Sequence, residues 1–398
     1  MDDDRPLIAS YSEMSRRRAL GWMAAAIHVV FGGWVSEKLI SGPLSLKVAP
    51  KDFRRGVAMS SLQGAPGALP GHLNGEVFII PEAHFAYYAE KGFDHVRLEG
   101  TWERLQPRLM GALGEQLLDH YSDPDNPWRD PVKLVRSYLD MAGKHGLKVI
   151  LDLCHNYGER HIGYDGSWEK KAKAQLGSEE VPLTAFADYC VKLMLAFGDH
   201  PALAAIELMN EPHDLAVGEA GWREACQLAI TSIRSLNREI PIIINGYGWA
   251  SAEYWPERNP SLHTLVDPSD KLIWSAHQYF DANSSGTYGG GGEAAPADVE
   301  LGVKRLAPFI AWLAEHGFSG RGHLGEFGAP DRAEWRGVVQ NGLASASAAG
   351  LRLTAHQDVP YENDPYPMNL FPPTDSSGKI AGPDRLFIQA MRQLPAHD

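Results

Sequence analysis

The stretch AAIELMNEPHD, residues 204–214, begins as an apolar run and ends on Asn210, Glu211, Pro212 and His213. A short apolar run closed by turn residues reads as a strand buried on both faces, the kind that parallel sheets use. Seven more runs of this kind are spaced along the chain: RRGVAMS (54–60), DHVRLEG (94–100), KVILDLCHN (148–156), PIIINGYG (241–248), KLIWSAHQY (271–279), RGHLGEFG (321–328) and LRLTAHQ (351–357). Between most of them lie segments of helical period at 81–92, 131–146, 183–200, 221–237, 298–317 and 334–350. Four of these segments end in Gly92, Gly146, Gly317 and Gly350 just before the next strand, the place of a helix C-cap. Alternation of strand and helix demands right-handed parallel crossovers. Eight such units predict an α/β fold, a (β/α)8 TIM barrel, as a single domain over residues 45–398 with loop insertions. An open doubly wound sheet is the competing architecture. It would ordinarily carry a nucleotide fingerprint, and neither G-x-G-x-x-G nor a Walker sequence follows the first strand.

The chain has 398 residues, 44% hydrophobic and 22% charged, which suits a globular protein with a large core. Its formal net charge of −13 argues against nucleic acid or an anionic membrane surface as partner, and is compatible with a neutral ligand such as an oligo- or polysaccharide. Cys154, Cys190 and Cys226 form no CxxC and no metal-ligand spacing, so free buried thiols are expected. Near the N-terminus, SRRRALGWMAAAIHVVFGGWV (15–35) places three arginines before an apolar stretch too short to span a bilayer comfortably. Residues 1–44 are therefore expected to be an export signal or an uncleaved anchor. Ser15, Arg16, Arg17 and Leu20 are similar to a twin-arginine signal, which implies a periplasmic or secreted protein that meets the membrane only through this segment.

In a parallel barrel the loops after the C-terminal strand ends carry the active site. Here the second strand carries Arg97 and leads to Trp102, the third carries His155 and Asn156, and the fourth ends on Asn210 and Glu211. The fifth gives Tyr247 and Trp249, the sixth His277 and Tyr279, the seventh Glu326, and the eighth His356 and Gln357. One polar strand end is an ordinary cap or turn; seven of them, with carboxylates on strands four and seven, predict a site. Strands four and seven lie nearly opposite in an eight-strand ring, so Glu211 and Glu326 can face each other across the mouth. Two facing carboxyls are what glycosidic cleavage requires, one protonated to donate to the leaving oxygen and one ionised to attack or to activate water. Arg97 and His155 are expected to hold Glu326 ionised, Asn210 to bond a sugar 2-hydroxyl, Tyr279 to contact the nucleophile, and Trp249 to stack on a sugar ring.

These residues resemble a known family. ELMNEPHD (207–214) is similar to the Asn-Glu-Pro acid/base motif of glycoside hydrolase family 5, in the clan of retaining (β/α)8 glycosidases, and GHLGEFGAP (322–330) to its nucleophile strand. HVRLEGTWERLQP (95–107), VILDLCHNYG (149–158) and HQYFDANSSGT (277–287) resemble its second-, third- and sixth-strand segments, in order, so the likeness covers roughly residues 54–330. It implies Glu211 as general acid/base, Glu326 as nucleophile, a −1 sugar site lined by Arg97, His155, Asn210, His277 and Tyr279, and no cofactor or metal. It implies an endo-β-1,4-glucanase, or alternatively a β-glycosidase for mannan, xyloglucan, β-1,3-glucan or an aryl or terpene glycoside; a non-catalytic carbohydrate-binding barrel is the third option. The eighth strand departs from the pattern. The family has a Trp there, whereas LRLTAHQDVPYENDPYPMNLFPP (351–373) has none, and His356, Gln357 or Tyr361 stands near its place.

Overall fold

Strand β2, His95–Gly100, shows how these runs become barrel strands. Successive side chains of a strand point to opposite faces. His95, Arg97 and Glu99 therefore share one face and Val96 and Leu98 the other. The polar set faces the barrel interior, where Arg97 reaches across to Glu207 and Glu326. The apolar set joins the main core between strands and helices.

The computed structural model describes residues 53–119, 124–168, 172–360 and 366–395. The expected export or anchor segment, residues 1–44, and Tyr361 lie outside them. The barrel is built from β1 (Arg55–Leu62), β2, β3 (Lys148–Asp152), β6 (Leu203–Glu207), β7 (Ile242–Asn245), β8 (Leu272–His277), β9 (Gly322–Glu326) and β10 (Arg352–Asp358). All neighbouring pairs are parallel, and β1 pairs with both β2 and β10, which closes the ring. The eight strands fall on the eight apolar runs. Several are shorter than their runs: β3 stops at Asp152 and β6 at Glu207, so His155, Asn210 and Glu211 sit on loops just past the strand ends.

Among the described residues, six long helices cover the outside: α1 (Glu82–Glu90), α2 (Pro131–Lys144), α3 (Leu183–Phe197), α4 (Gly218–Leu236), α5 (Leu301–Glu315) and α6 (Arg336–Ala348). Helix α2 starts where Asp130 accepts hydrogen bonds from the backbone N–H of Val132 and Lys133, with Pro131 at the first helical position. Gly92, Gly146, Gly317 and Gly350 all take the positive φ, between +71° and +83°, that lets the chain leave a helix for a strand. Besides short single-turn helices, two elements among the described residues were not read from the sequence. One is an antiparallel hairpin in the loop after β3, β4 (Glu159–Ile162) with β5 (Ala172–Gln175); the other is the C-terminal helix α7 (Leu386–Arg392). The three cysteines are free and buried. No helix among the described residues is long and apolar enough to cross a membrane.

The barrel interior has a small apolar cluster that includes Phe53, Ile150, Ile243 and Ile273. Beside it runs a satisfied polar chain. His95 Nδ1 lies 2.6 Å from Asp94, and His95 Nε2 and His323 Nε2 both lie 2.8 Å from the Thr354 hydroxyl. A hydroxyl donates one hydrogen, so Thr354 donates to His95 and accepts from His323, whose Nδ1 then accepts from Ser275 at 3.2 Å. This arrangement needs a neutral His323, and burial pushes its pKa well below the usual value. Gly56 leaves room for the His95 ring, since a Cβ there would fall 2.2 Å from the ring and 2.5 Å from the His95 carbonyl oxygen. Gly56→Ala is expected to destabilise the barrel by about 1–3 kcal/mol, read as a lower urea midpoint with an unchanged slope.

Candidate active site

The site is organised around one guanidinium. Arg97 is fully buried and donates to Glu207 through Nε (2.9 Å) and Nη2 (2.8 Å), to both Glu99 and Glu326 through Nη1 (2.9 Å each), and to the Asn210 amide oxygen through Nη2 (2.6 Å). Asp152 stands 2.9 Å from the same Nη2. Burial would lower the Arg97 pKa, but Asp152, Glu207 and Glu326 outweigh it and raise it. Only an arginine offers five N–H groups in this fixed fork.

Glu326, the last residue of β9, receives Arg97 on one oxygen and the Tyr279 hydroxyl (2.8 Å) on the other. Burial favours its protonated form, yet His356, His277, Arg97 and His155 together hold the carboxyl well below the usual carboxylate range, so Glu326 is ionised. Burial and the Glu326 charge push the Tyr279 hydroxyl well above its usual value, which keeps it a donor. Glu211 follows β6 with φ of +46°, a backbone region rare for a residue with a side chain and found mostly where function holds it. His277 Nδ1 donates to Glu211 at 2.7 Å and lies 3.6 Å from Glu326. Burial would lower the His277 pKa; the Glu326 and Glu211 carboxylates reverse this and raise it. One oxygen of Glu211 and one of Glu326 come within 4.8 Å of each other. Strands four and seven of the barrel thus bring the two carboxyls together.

The residues expected from the sequence divide into three sets. Glu211, His155, Trp249, His277, Tyr279, Glu326, His356 and Gln357 all line one cleft of about 770 Å³ at the C-terminal strand ends. Trp249 is 44% exposed there, stacks on His213 at 4.1 Å and has the Arg258 guanidinium 5.7 Å from its ring centroid. Arg97 and Asn210 lie beneath this cleft, fully buried. Asn156 is turned away. Its side chain accepts from the Trp102 backbone N–H (2.8 Å) and donates to Glu103 (2.7 Å) and to the Glu159 carbonyl (3.0 Å), so it ties the loop after β3 to the loop after β2. His155 also differs from expectation, because it makes no hydrogen bond to Glu326. Its Nδ1 is bonded to Asp152 (2.7 Å) and its Nε2 faces the Tyr157 hydroxyl (2.9 Å) and the Asn210 amide nitrogen (3.1 Å). Burial would lower its pKa, but Asp152 reverses this and raises it to about 9, so its Nε2–H donates to the Tyr157 hydroxyl, and Asn210 is held by Arg97 through its oxygen.

Several site residues were not read from the sequence. Glu99, Asp152 and Glu207 surround Arg97, and Tyr254, Arg258 and Tyr366 line the cleft. At the eighth barrel strand, His356 stands beside the carboxylates, its Nδ1 3.4 Å from Glu99 and 3.7 Å from Glu326, and a cis peptide joins it to Gln357. Among the described residues, three sets of donors come close enough to share a cation: Glu99, Asp152 and His155; Glu99, Glu326 and His356; Glu211, His277 and Glu326. Arg97 already bridges Glu99 and Glu326, and Asp152 and Glu211 are each bonded to an imidazole, so these donors are engaged with positive groups of the chain itself.

The chain is similar to a known protein family and to several solved structures. Residues 63–355 match the family model described as Cellulase (glycosyl hydrolase family 5). The manganese dependent endoglucanase Eg5A of Phanerodontia chrysosporium is 25% identical over 286 residues, 71% of this chain and 65% of that protein. Endoglucanase 3 of Humicola insolens is 28% identical over 274 residues, 68% of this chain and 60% of that protein. The chain thus spans less than two thirds of these curated relatives. Among solved structures, the Pseudomonas stutzeri endoglucanase Cel5A in complex with cellobiose superposes with a TM-score of 0.70 at 32% identity, covering 85% of this chain and 91% of that one.

Proposed function

The chain belongs to glycosyl hydrolase family 5, the cellulase family, and from that premise we propose that it is an endo-β-1,4-glucanase acting with retention. The observation that carries this reading is the pair Glu211 and Glu326, with one oxygen of each within 4.8 Å of the other and Glu326 held ionised. Retaining glycosidases set their carboxyls roughly 5–5.5 Å apart, and inverting ones leave a wider gap for water. In the first step protonated Glu211 gives its proton to the leaving glycosidic oxygen while Glu326 attacks the anomeric carbon, forming a glycosyl ester. In the second, Glu211 takes a proton from water, the hydroxide oxygen bonds the anomeric carbon, and Glu326 leaves as carboxylate. Arg97 and Tyr279 orient Glu326, His277 orients Glu211, and the exposed Trp249 offers a stacking face to a sugar ring. The relatives named endoglucanases, one with cellobiose bound, support a β-linked glucan as substrate. The arginine cluster and apolar stretch in residues 1–44 support export.

The test is a soluble β-1,4-glucan. Viscosity is expected to fall well before reducing ends accumulate, and the first products to be β-anomers by proton NMR. An α-anomer as first product would refute retention. A second reading, a related β-glycan as substrate, is favoured by His356 where the family has a Trp. Turnover of mannan, xyloglucan or β-1,3-glucan in place of β-1,4-glucan would select it, and binding without turnover would select a non-catalytic barrel.

A further inference from the structure

Charge at the base of the cleft is out of balance by the guanidinium alone. Four carboxylates, those of Glu99, Asp152, Glu207 and Glu326, stand within 2.9 Å of Arg97, and all are buried. Buried like charges at this spacing repel strongly unless cations lie among them. Three imidazoles complete the cluster. His155 is bonded to Asp152, His277 stands near Glu326, and His356 lies between Glu99 and Glu326. The His356 Nδ1 is buried and makes no well-aligned hydrogen bond. Its fit is therefore to the two charges together rather than to one acceptor.

We propose that Glu99 and His356 are a compensating positioning pair, in which His356 sets the ionisation of Glu326 by its charge and Glu99 offsets and holds His356. This rests on Glu326 being the nucleophile, as in the function proposed above. The eighth-strand position then serves the reaction through charge, where an indole would serve it through stacking. The groups around His356 are accounted for on every side. Glu99 comes from β2, Glu326 from β9, Tyr279 from the loop after β8 (ring centroids 6.1 Å apart) and Tyr366 from the segment after β10 (6.2 Å). On β10 itself Asp358 is taken by His84 at 2.7 Å. Gln63 donates to the second oxygen of Glu99 (3.3 Å) and to Gln357 (3.4 Å), which fixes the far side of the pair. Among the positive groups that oppose the burial of Glu326, His356 is the largest single influence.

The two halves of the pair act on Glu326 in opposite directions, so a double substitution separates this from a packing role. His356→Gln removes the positive partner and leaves Glu99 facing the nucleophile, which raises the Glu326 pKa. Glu99→Gln does the reverse. The acidic limb of kcat/KM on soluble β-1,4-glucan is expected to move up by roughly one pH unit in His356→Gln. It should move down or stay in Glu99→Gln, and return close to the parent in the double variant. An unmoved limb in His356→Gln, or a double variant that keeps the shifted limb, overturns the proposal.

A second arm needs no turnover. Glu326 with a depressed pKa stabilises the fold above its unfolded value and loses that contribution as pH falls through the folded value. The drop in Tm between about pH 5 and about pH 3 should accordingly be smaller in His356→Gln than in the parent, and the double variant should restore it. Equal drops in all forms overturn the pair. If the parent cleaves no β-1,4-glucan, the proposed activity fails while this arm still decides the pair. If His356→Gln is insoluble, His356→Asn carries both arms.

Discussion

Glu326→Gln is expected to lower turnover by roughly 10⁴-fold or more while leaving the barrel folded, the order lost when an enzyme's nucleophile is removed. The amide keeps the shape of the side chain and an acceptor oxygen for Arg97 Nη1, and its nitrogen can donate to the Tyr279 hydroxyl that now donates to Oε2. What it lacks is the negative charge that forms the glycosyl ester, so the first chemical step has no nucleophile. The charge cluster also tolerates the change, because three carboxylates remain around Arg97. Circular dichroism and a cooperative thermal transition should report an intact fold. An internal comparison sharpens the test. In Glu211→Gln, an aryl glycoside with an acidic leaving group needs no proton and should recover its first step. In Glu326→Gln the same substrate should recover nothing. Near-parental activity of Glu326→Gln on both substrates would remove Glu326 from the mechanism.

The barrel was legible because its strands are buried on both faces and its helices on one. The apolar runs and helical periods, with glycines at four helix ends, placed every barrel strand and all six long helices. Strand ends were read too long, because Leu208 and Met209 are as buried as the strand they follow and burial does not register where a hydrogen-bonded ladder stops. The hairpin β4–β5 has no such core to reveal it, since its residues are mostly exposed or half-buried. Within the site, the residues at strand ends and Arg97 were found, and the acids that surround Arg97 inside the barrel were not. Glu99, Asp152 and Glu207 interrupt apolar runs, and a reading tuned to apolar content passes over them. The signal was present in β2, where His95, Arg97 and Glu99 alternate with Val96 and Leu98, which puts an acid on the same face as the arginine it pairs with. Asn156 follows His155 at the end of the third strand, but adjacency in the chain does not fix where a side chain points past a strand end. The loop after β3 turns there, and the amide points to Trp102 and Glu103. The His155 partner was misjudged because the choice between Glu326 and Asp152 depends on a distance across the barrel that no spacing in the chain encodes.

Arg97→Leu is expected to cost about 3–5 kcal/mol, the penalty of stripping one member from a buried ionic cluster. That is a large share of the roughly 5–15 kcal/mol that holds a domain folded. The guanidinium is wholly buried and joins β2 to Asp152 on β3, to Glu207 on β6, to Glu326 on β9 and to Asn210 beyond β6, so four carboxylates would be left facing one another across the barrel. Acid should then act with opposite sign in parent and variant. In the parent, Glu99 and Glu326 have lowered pKa values, so stability is present above the ordinary carboxylate range and is lost as pH falls through the lower folded values. Without Arg97 the clustered carboxyls bind protons more tightly folded than unfolded, and stability should rise as pH drops from about 7 to about 5. Arg97→Lys should fall between the two. An ammonium restores the charge, but it cannot reach Glu207 twice and Glu99, Glu326 and Asn210 at once. Thermal unfolding of the three proteins at about pH 7, 5 and 3 measures each sign, the variant's gain between the first two and the parent's loss between the last two. A leucine variant as stable as the parent at neutral pH, or one that loses stability on acidification, would show that the cluster is held by something other than Arg97.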